Sequence, residues 1–269
     1  MLDVALSKIG DKGLFTKELE TALLDNEIDL AVHSMKDLPT KLPAGLKIGC
    51  ITQRENPQDV LISPKNYTIE TLPAGAKVGT SSLRRRSQLL NCRSDLQLED
   101  LRGNLLTRMK KMHDENFDAI VLAAAGVIRL EWQQEIAEYI STDIFLPAVG
   151  QGALGLEIRA EDVEVENLLQ GIHDADSARA VLCERALLAH LEGGCQIPIG
   201  ALAKVTGDII YLQAMVASLD GKILIKDSMV GTIEQYAEVG IKLAKKLLEQ
   251  GAEEVLKQVR QETDEFANK

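Results

Sequence analysis

Four short stretches hold the side chains whose types and spacing suit chemistry. HSMKDLP, residues 33–39, sets His33, Ser34, Lys36 and Asp37 just past what reads as a strand end, and Pro39 fixes its own φ. A carboxylate held there suits a general acid or base, or an anion that stabilises a developing cation. The same spacing equally suits a capped turn with solvated charges, and for His33 a satisfied structural histidine is the simpler reading. GTSSLRRR, residues 79–86, places Ser81 and Ser82 at a helix start ahead of Arg84 and Arg85. Unpaired N–H groups at a helix start and forked guanidinium donors fit anionic groups. LRGN, residues 101–104, brings Arg102, with Arg108 beyond it, at a second strand–helix junction. EGGCQIPIG, residues 192–200, sets Cys195 behind two glycines and ahead of a proline.

The four cysteines, Cys50, Cys92, Cys183 and Cys195, form no Cys-x-x-Cys pair, and no histidine stands at zinc-finger spacing. No metal site is expected. With no secretory signal read in the opening MLDVALSKIGDKG and no apolar run near membrane-spanning length, a cytoplasmic setting is expected, where disulfides are rare. Cys195 is then a free thiol, functional or accidental. The net charge of −11 argues against nucleic acid as a partner, and none is expected, nor a membrane. Yet residues 81–111 carry Arg84, Arg85, Arg86, Arg93, Arg102, Arg108, Lys110 and Lys111. A local cationic cluster in an acidic chain suits a small polyanion; its plainer reading is a solvated helix face.

The elements that must position these residues alternate. A helix is expected over 16–26 with Thr16 as N-cap, then strands in IDLAVHSM, GLKIGCI (45–51) and DVLIS (59–63). AKVGTSSLRRRSQLL reads as strand, turn and helix, with Ser81 or Ser82 as the cap; LQLEDLRGNLLTRMKK followed by FDAIVLAAAG repeats the pattern. Such alternation predicts parallel α/β architecture, with ligands at the carboxyl ends of strands. LPAVGQGALGLEIR, residues 146–159, reads as a crossing between domains. A helix opens at Asp176 or Ser177 and closes at Gly193. IGALAKV, IIYLQAMVA and KILIKDSMV, joined by TGD and LDG, predict a three-stranded antiparallel sheet, and TIEQ at 232–235 a capping box before a long helix that Gly251 interrupts. With 269 residues, two or three domains are expected.

Taken in order, AVHSMKDLP, VGTSSLRRR, LRGNLLTR, LPAVGQGALGLE and LEGGCQIPIGA resemble the porphobilinogen deaminase (hydroxymethylbilane synthase) family from about Leu2 to the C-terminal helix. The resemblance implies two periplasmic-binding-protein-like α/β lobes around a cleft plus a C-terminal α+β domain. Its implied boundaries are 1–53 with 150–172, 54–149, and 173–269. It implies a monomeric transferase of heme and tetrapyrrole biosynthesis that joins four porphobilinogen units, with loss of ammonia, onto a dipyrromethane cofactor. It implies a thioether from Cys195 to that cofactor, and for Asp37 the catalytic role of holding pyrrole N–H groups and stabilising the azafulvenium cation. Lys36, Ser81, Ser82, Arg84, Arg85, Arg102 and Arg108 match positions that bind cofactor and substrate carboxylates; Thr80 and Arg129 are further candidates. Lys8, Lys12, Gly13 and Phe15 match a loop over the active site, and Gln151 a residue near the cleft. Cys50, Cys92 and Cys183 read as packing residues.

Family members begin with a strand and helix bearing G-T-R-x-S-x-L-A, which this sequence does not contain, so weak or absent turnover is expected of the chain as given. The competing expectation is a non-catalytic two-lobed anion-binding module, which has no need of Cys195.

Overall fold

A computed structural model describes residues 14–191 and 197–267. Three sheets organise it. The first, in the order β1-β8-β2, combines β1 (Ala31–Ser34), β2 (Leu46–Ile51) and β8 (Leu154–Arg159), with β8 antiparallel to both neighbours. Helix α1 (Leu14–Leu24) packs on it through Leu23, which meets Ala31 and Leu46. Thr16 is not the cap expected of it: the helix is already under way at Leu14, and Thr16 is buried within it.

The second sheet runs β5-β4-β6-β3-β7, from β3 (Asp59–Ile62), β4 (Lys77–Gly79), β5 (Gln97–Glu99), β6 (Ala119–Ala123) and β7 (Ile136–Tyr139). Only β5, β4 and β6 are parallel; β3 pairs antiparallel with both β6 and β7. The expected parallel architecture therefore holds for the strands joined through helices. It fails for β3 and β7, where the chain enters and leaves the sheet, and for β1 and β2, each of which pairs antiparallel with β8. Helix α2 (Leu83–Cys92) follows β4, and α3 (Leu105–Asp114) follows β5 with Asn104 as N-cap, its side chain accepting from Thr107 N at 2.9 Å. After β6 comes the short α4 (Ala124–Arg129).

Two strands of chain cross between these sheets, 52–58 outward and 140–153 back, and they run side by side. Glu55 N donates to Gly152 O at 2.9 Å and Thr52 N to Leu154 O at 3.1 Å. The approach needs glycine at 152: φ is +90°, and a Cβ would stand 2.4 Å from Glu55 O.

The third sheet is the antiparallel β11-β10-β9, from β9 (Ile199–Thr206), β10 (Ile209–Ala217) and β11 (Leu224–Thr232), as the alternating sequence pattern predicts. Its buried face packs on α6 (Ala175–His190), α7 (Tyr236–Leu247) and α8 (Glu253–Ala267) around Leu187, Leu212, Leu243 and Leu256. Between the first sheet and α6 lies α5 (Val163–Leu169). Helix α6 starts earlier than expected, because Asp174 caps it, accepting from Ser177 N at 2.8 Å. The TIEQ stretch forms a 3-10 turn at Ile233–Gln235 rather than a capping box, and Thr232 makes no side-chain cap bond. Gly251, at φ 102°, breaks the last two helices apart as expected.

Candidate functional site

The turn that ends β1 is held by alternation of burial. Met35 and Leu38 are 1% and 5% exposed and pack with Ile51, Ala153, Ala178 and Val181, so the turn is pinned to the crossing and to α6. Met35 N donates to Ala153 O at 3.0 Å and Asp37 N to Ser34 O at 2.9 Å. Met35 lies so close to β8 that a Cβ at Gly155 would meet its sulfur at 2.1 Å. Arg185 of α6 donates to Leu38 O at 2.9 Å and Pro39 O at 2.5 Å from the other side. Lys36 is left half-buried and Asp37 exposed.

Opposite them stands the start of α2. Ser82 is the N-cap residue but its side chain makes no cap bond, while Ser82 N donates to Thr80 Oγ1 at 3.3 Å and Leu101 N to Ser81 Oγ at 2.9 Å. Thr80 and Ser81 thus shape the junction, and Ser82 keeps its hydroxyl unspent on the helix. Arg84 and Arg85, 5% and 6% exposed, turn inward onto Asp59, the first residue of β3. Asp59 Oδ2 accepts from Arg84 Nη1 at 2.6 Å; Oδ1 accepts from Arg85 Nε at 3.0 Å and Nη2 at 2.7 Å. Arg84 also donates to Leu146 O at 2.7 Å and Arg85 to Val121 O at 2.9 Å. Burial opposes the charge on Asp59, but the two guanidinium groups outweigh it and hold the carboxyl well below its usual range.

The two sides share one electrostatic environment. The Lys36 amine is lowered to about 8, by burial first and then by Arg85 and Arg84, against the attraction of Asp37 and Asp59. Arg108 of α3, anchored through Nε to Gly103 O at 2.8 Å, is lowered by burial and by Arg85 and raised by Asp37. Residues from β1, β3, α2 and α3 therefore converge. Gln151 joins them from the crossing: it is 1% exposed and its Nε2 donates to Pro57 O at 2.8 Å and Asp59 Oδ1 at 3.1 Å. Its Oε1 is buried without a hydrogen-bond partner.

Other expected residues stand apart. Arg102 is exposed, 3.8 Å from Asp100, and Arg129 is exposed at the end of α4. Lys8, Lys12, Gly13 and Cys195 lie outside the described residues; Phe15 falls in α1. Cys50 and Cys183 are buried, burial and Glu184 pushing the Cys183 thiol up to about 12, but Cys92 is exposed at the end of α2 rather than packed. His33 is the satisfied histidine, its Nε2 2.9 Å from Glu157 Oε2, both buried.

Sequence reasoning missed Asp59, Arg54 and Glu184. Arg54 sits in the outward crossing and reaches Glu184 of α6 at 2.5 and 3.2 Å, with Nε on Gln151 O at 2.9 Å. Glu184, fully buried, also accepts from Gly150 N at 2.7 Å and Ala203 N at 2.8 Å. The available signal was the polar run RENPQD directly ahead of the apolar VLI, an unusual place for paired charges.

Residues 1–167 match the family model described as porphobilinogen deaminase, dipyromethane cofactor binding domain, and residues 178–249 match its C-terminal domain. Among curated relatives, porphobilinogen deaminase of Carboxydothermus hydrogenoformans is 56% identical over 98% of this chain and 85% of its own length. The Moorella thermoacetica protein of that name is 56% identical over 99% and 85%, and a Prochlorococcus marinus one 52% over 100% and 85%. Among solved structures, the periplasmic aliphatic sulphonate binding protein SsuA from Escherichia coli aligns at TM-score 0.37 and 18% identity, covering 65% of this chain and 57% of that one. On the family models and the relatives, this chain belongs to the porphobilinogen deaminase family.

Proposed function

We propose that the convergence of Lys36 and Asp37 with Arg84, Arg85 and Arg108 is the centre of a deaminating transferase that joins four porphobilinogen units into hydroxymethylbilane. The observation that carries this reading is that an acidic chain gathers four cations from β1, α2 and α3 around a single turn with an exposed carboxylate. Porphobilinogen bears an acetate and a propionate, so a growing pyrrole chain is a polycarboxylate. It needs such donors, and it needs an anion for the positive charge that develops as ammonia leaves.

The donor set fits a dipyrromethane in the same way. Lys36, Ser82, Arg84, Arg85 and Arg108 would hold its carboxylates, Ser81 and Thr80 would keep the α2 start in place, and Cys195 would tether it. When bound, it supplies the pyrrole carbon to which the next unit is joined. Asp37 accepts hydrogen bonds from pyrrole N–H and stabilises the cationic methylene of the substrate, a contribution on the order of a few kcal/mol to the transition state. Lys36 and Arg108 orient substrate carboxylates. Arg102, Arg129, Gln151, Lys8, Lys12 and Phe15 are assigned to the wider substrate path. We further assign domains to 1–53 with 150–172, 54–149 and 173–269, a cytoplasmic setting and a monomeric state; among the described residues no helix is long and apolar enough to cross a membrane.

Intact-mass measurement tests the tether. A mass excess equal to a dipyrromethane, lost in Cys195→Ser, is expected, and ammonia release from porphobilinogen, however weak in the parent, should fall about 10²-fold or more in Asp37→Asn. An unmodified chain that releases no ammonia and frees its anion on denaturation would instead be the binding module.

A further inference from the structure

We propose that Asp59 is a positioning residue of this site, a counter-ion built into the protein that aims the Arg84 and Arg85 guanidinium groups and keeps the surrounding cations together before any anionic ligand arrives. The proposal rests on the functional reading above for the identity of the ligand, but not for the geometry.

Asp59 belongs to none of the sequence motifs. It is fully buried, and its two oxygens accept four bonds: one from Arg84, two from Arg85 and one from Gln151. Its backbone is fixed on both sides, since it pairs with Ala123 of β6 and accepts from Ile140 N at 3.0 Å. Each arginine has a second anchor, Leu146 O or Val121 O, but these are neutral carbonyls. Two adjacent guanidinium groups on one helix turn repel one another, and charge-assisted bonds to a shared carboxylate are what fix both in one place. Through Gln151 and Leu146, the same cluster is tied to the return crossing, so the arginines are set relative to the junction of the two sheets.

The Lys36 ammonium feels Arg85 and Arg84 from α2, Asp59 from β3 and Asp37 from its own turn. Asp59 is the buried one of the two attracting carboxylates. Neutralising it removes one of the two carboxylates that attract the Lys36 ammonium while both arginines stay, which disfavours the charged amine. An arginine pair that served only to pack the sheet would need Asp59 for stability, but not for the proton affinity of Lys36 or for turnover.

The test uses the full chain as purified, carrying its cofactor, with Asp59→Asn and Asp59→Glu. Reductive 13C-methylation reports the Lys36 titration by NMR, assigned with Lys36→Arg; porphobilinogen consumption against pH reports turnover. In folded Asp59→Asn, the Lys36 midpoint falls by roughly half a unit or more, and kcat/KM falls about 10- to 100-fold with its alkaline limb moved to lower pH. An unchanged midpoint, or kcat/KM within about twofold of the parent, overturns the proposal. Should Asp59→Asn fail to fold, Asp59→Glu decides: it keeps the charge but displaces it by one methylene. Its alkaline limb should stay in place while kcat/KM drops about fivefold or more, and parental kinetics would overturn the proposal. A parent chain that carries no dipyrromethane mass excess and consumes no porphobilinogen, with the midpoint shift intact, would sink the functional reading and leave Asp59 in place.

Discussion

Glu184 and Asp59 are both fully buried carboxylates clamped by arginine, and they stand at two ends of one crossing. Around Glu184 every partner is a protein group: Arg54 offers two bonds, Gly150 N and Ala203 N one each. That node joins the outward crossing, the return crossing, α6 and β9. Around Asp59 the partners are also protein groups, but they border half-buried Lys36 and Arg108 and exposed Asp37. The same pairing of charges therefore serves two ends. A closed node joins pieces of the fold; an open one stores positive charge at a surface where an anion can reach it.

The largest effect should come from the closed node. Glu184→Ala leaves the Arg54 guanidinium, 9% exposed, without its counter-charge and two buried N–H groups without an acceptor. We expect a loss of about 3–5 kcal/mol in denaturant unfolding. A loss below about 1 kcal/mol would show the node to be no more than an exposed ion pair and erase the contrast with Asp59.

Asp37→Asn should do the reverse. The side chain is exposed and its turn is held by the backbone bond to Ser34 O and by buried Met35 and Leu38, so melting should move little. Ammonia release from porphobilinogen should fall about 10²-fold or more, roughly 2.7 kcal/mol of transition-state stabilisation. Turnover within a few-fold of the parent would remove Asp37 from the chemistry.

That split marks what could be read from sequence. The short motifs HSMKDLP and GTSSLRRR read as a strand end and a strand-to-helix turn, and they lie at such places, because a turn of that kind has a local cause that spacing records. Three antiparallel strands with TGD and LDG turns were legible for the same reason. Asp59 was not, since its partners Arg84, Arg85 and Gln151 lie 25, 26 and 92 residues away and no spacing encodes such a contact. The antiparallel placement of β3 and β7 escaped likewise. Alternation of strand and helix fixes direction only where a helix returns the chain, and here crossings feed those strands. The arginines also read as open forks, and they prove to be largely spent on protein acceptors.

Lys36 carries the next smaller effect, and its sign distinguishes the open node. Its folded value of about 8 lies below the ordinary amine, with burial the leading cause, so the folded state binds the proton more weakly than the unfolded chain. Below about pH 8 both states are protonated and the cost of holding the charge is present in full. As pH rises from there toward the ordinary amine value the cost is relieved, so this group's contribution to stability improves. Lys36→Met should accordingly stabilise the ligand-free fold by about 1 kcal/mol near neutrality, with the gain shrinking above pH 8. A variant less stable than the parent across pH 6–10 would mean that Lys36 is a structural ion-pair partner and the node is closed after all.

The smallest effect calibrates the other three. Glu238 and Lys242 of α7 pair at 3.3 Å with side chains about 60% exposed, one helical turn apart. Water already solvates both charges, so their attraction is weak and holding two long side chains costs entropy. The double variant Glu238→Ala with Lys242→Ala, set against the two single variants, should give a coupling of no more than about 0.5 kcal/mol, falling further in molar salt. Were that coupling as large as the loss in Glu184→Ala, burial would not be what separates the nodes, and the contrast between Glu184 and Asp59 would have to rest on geometry alone.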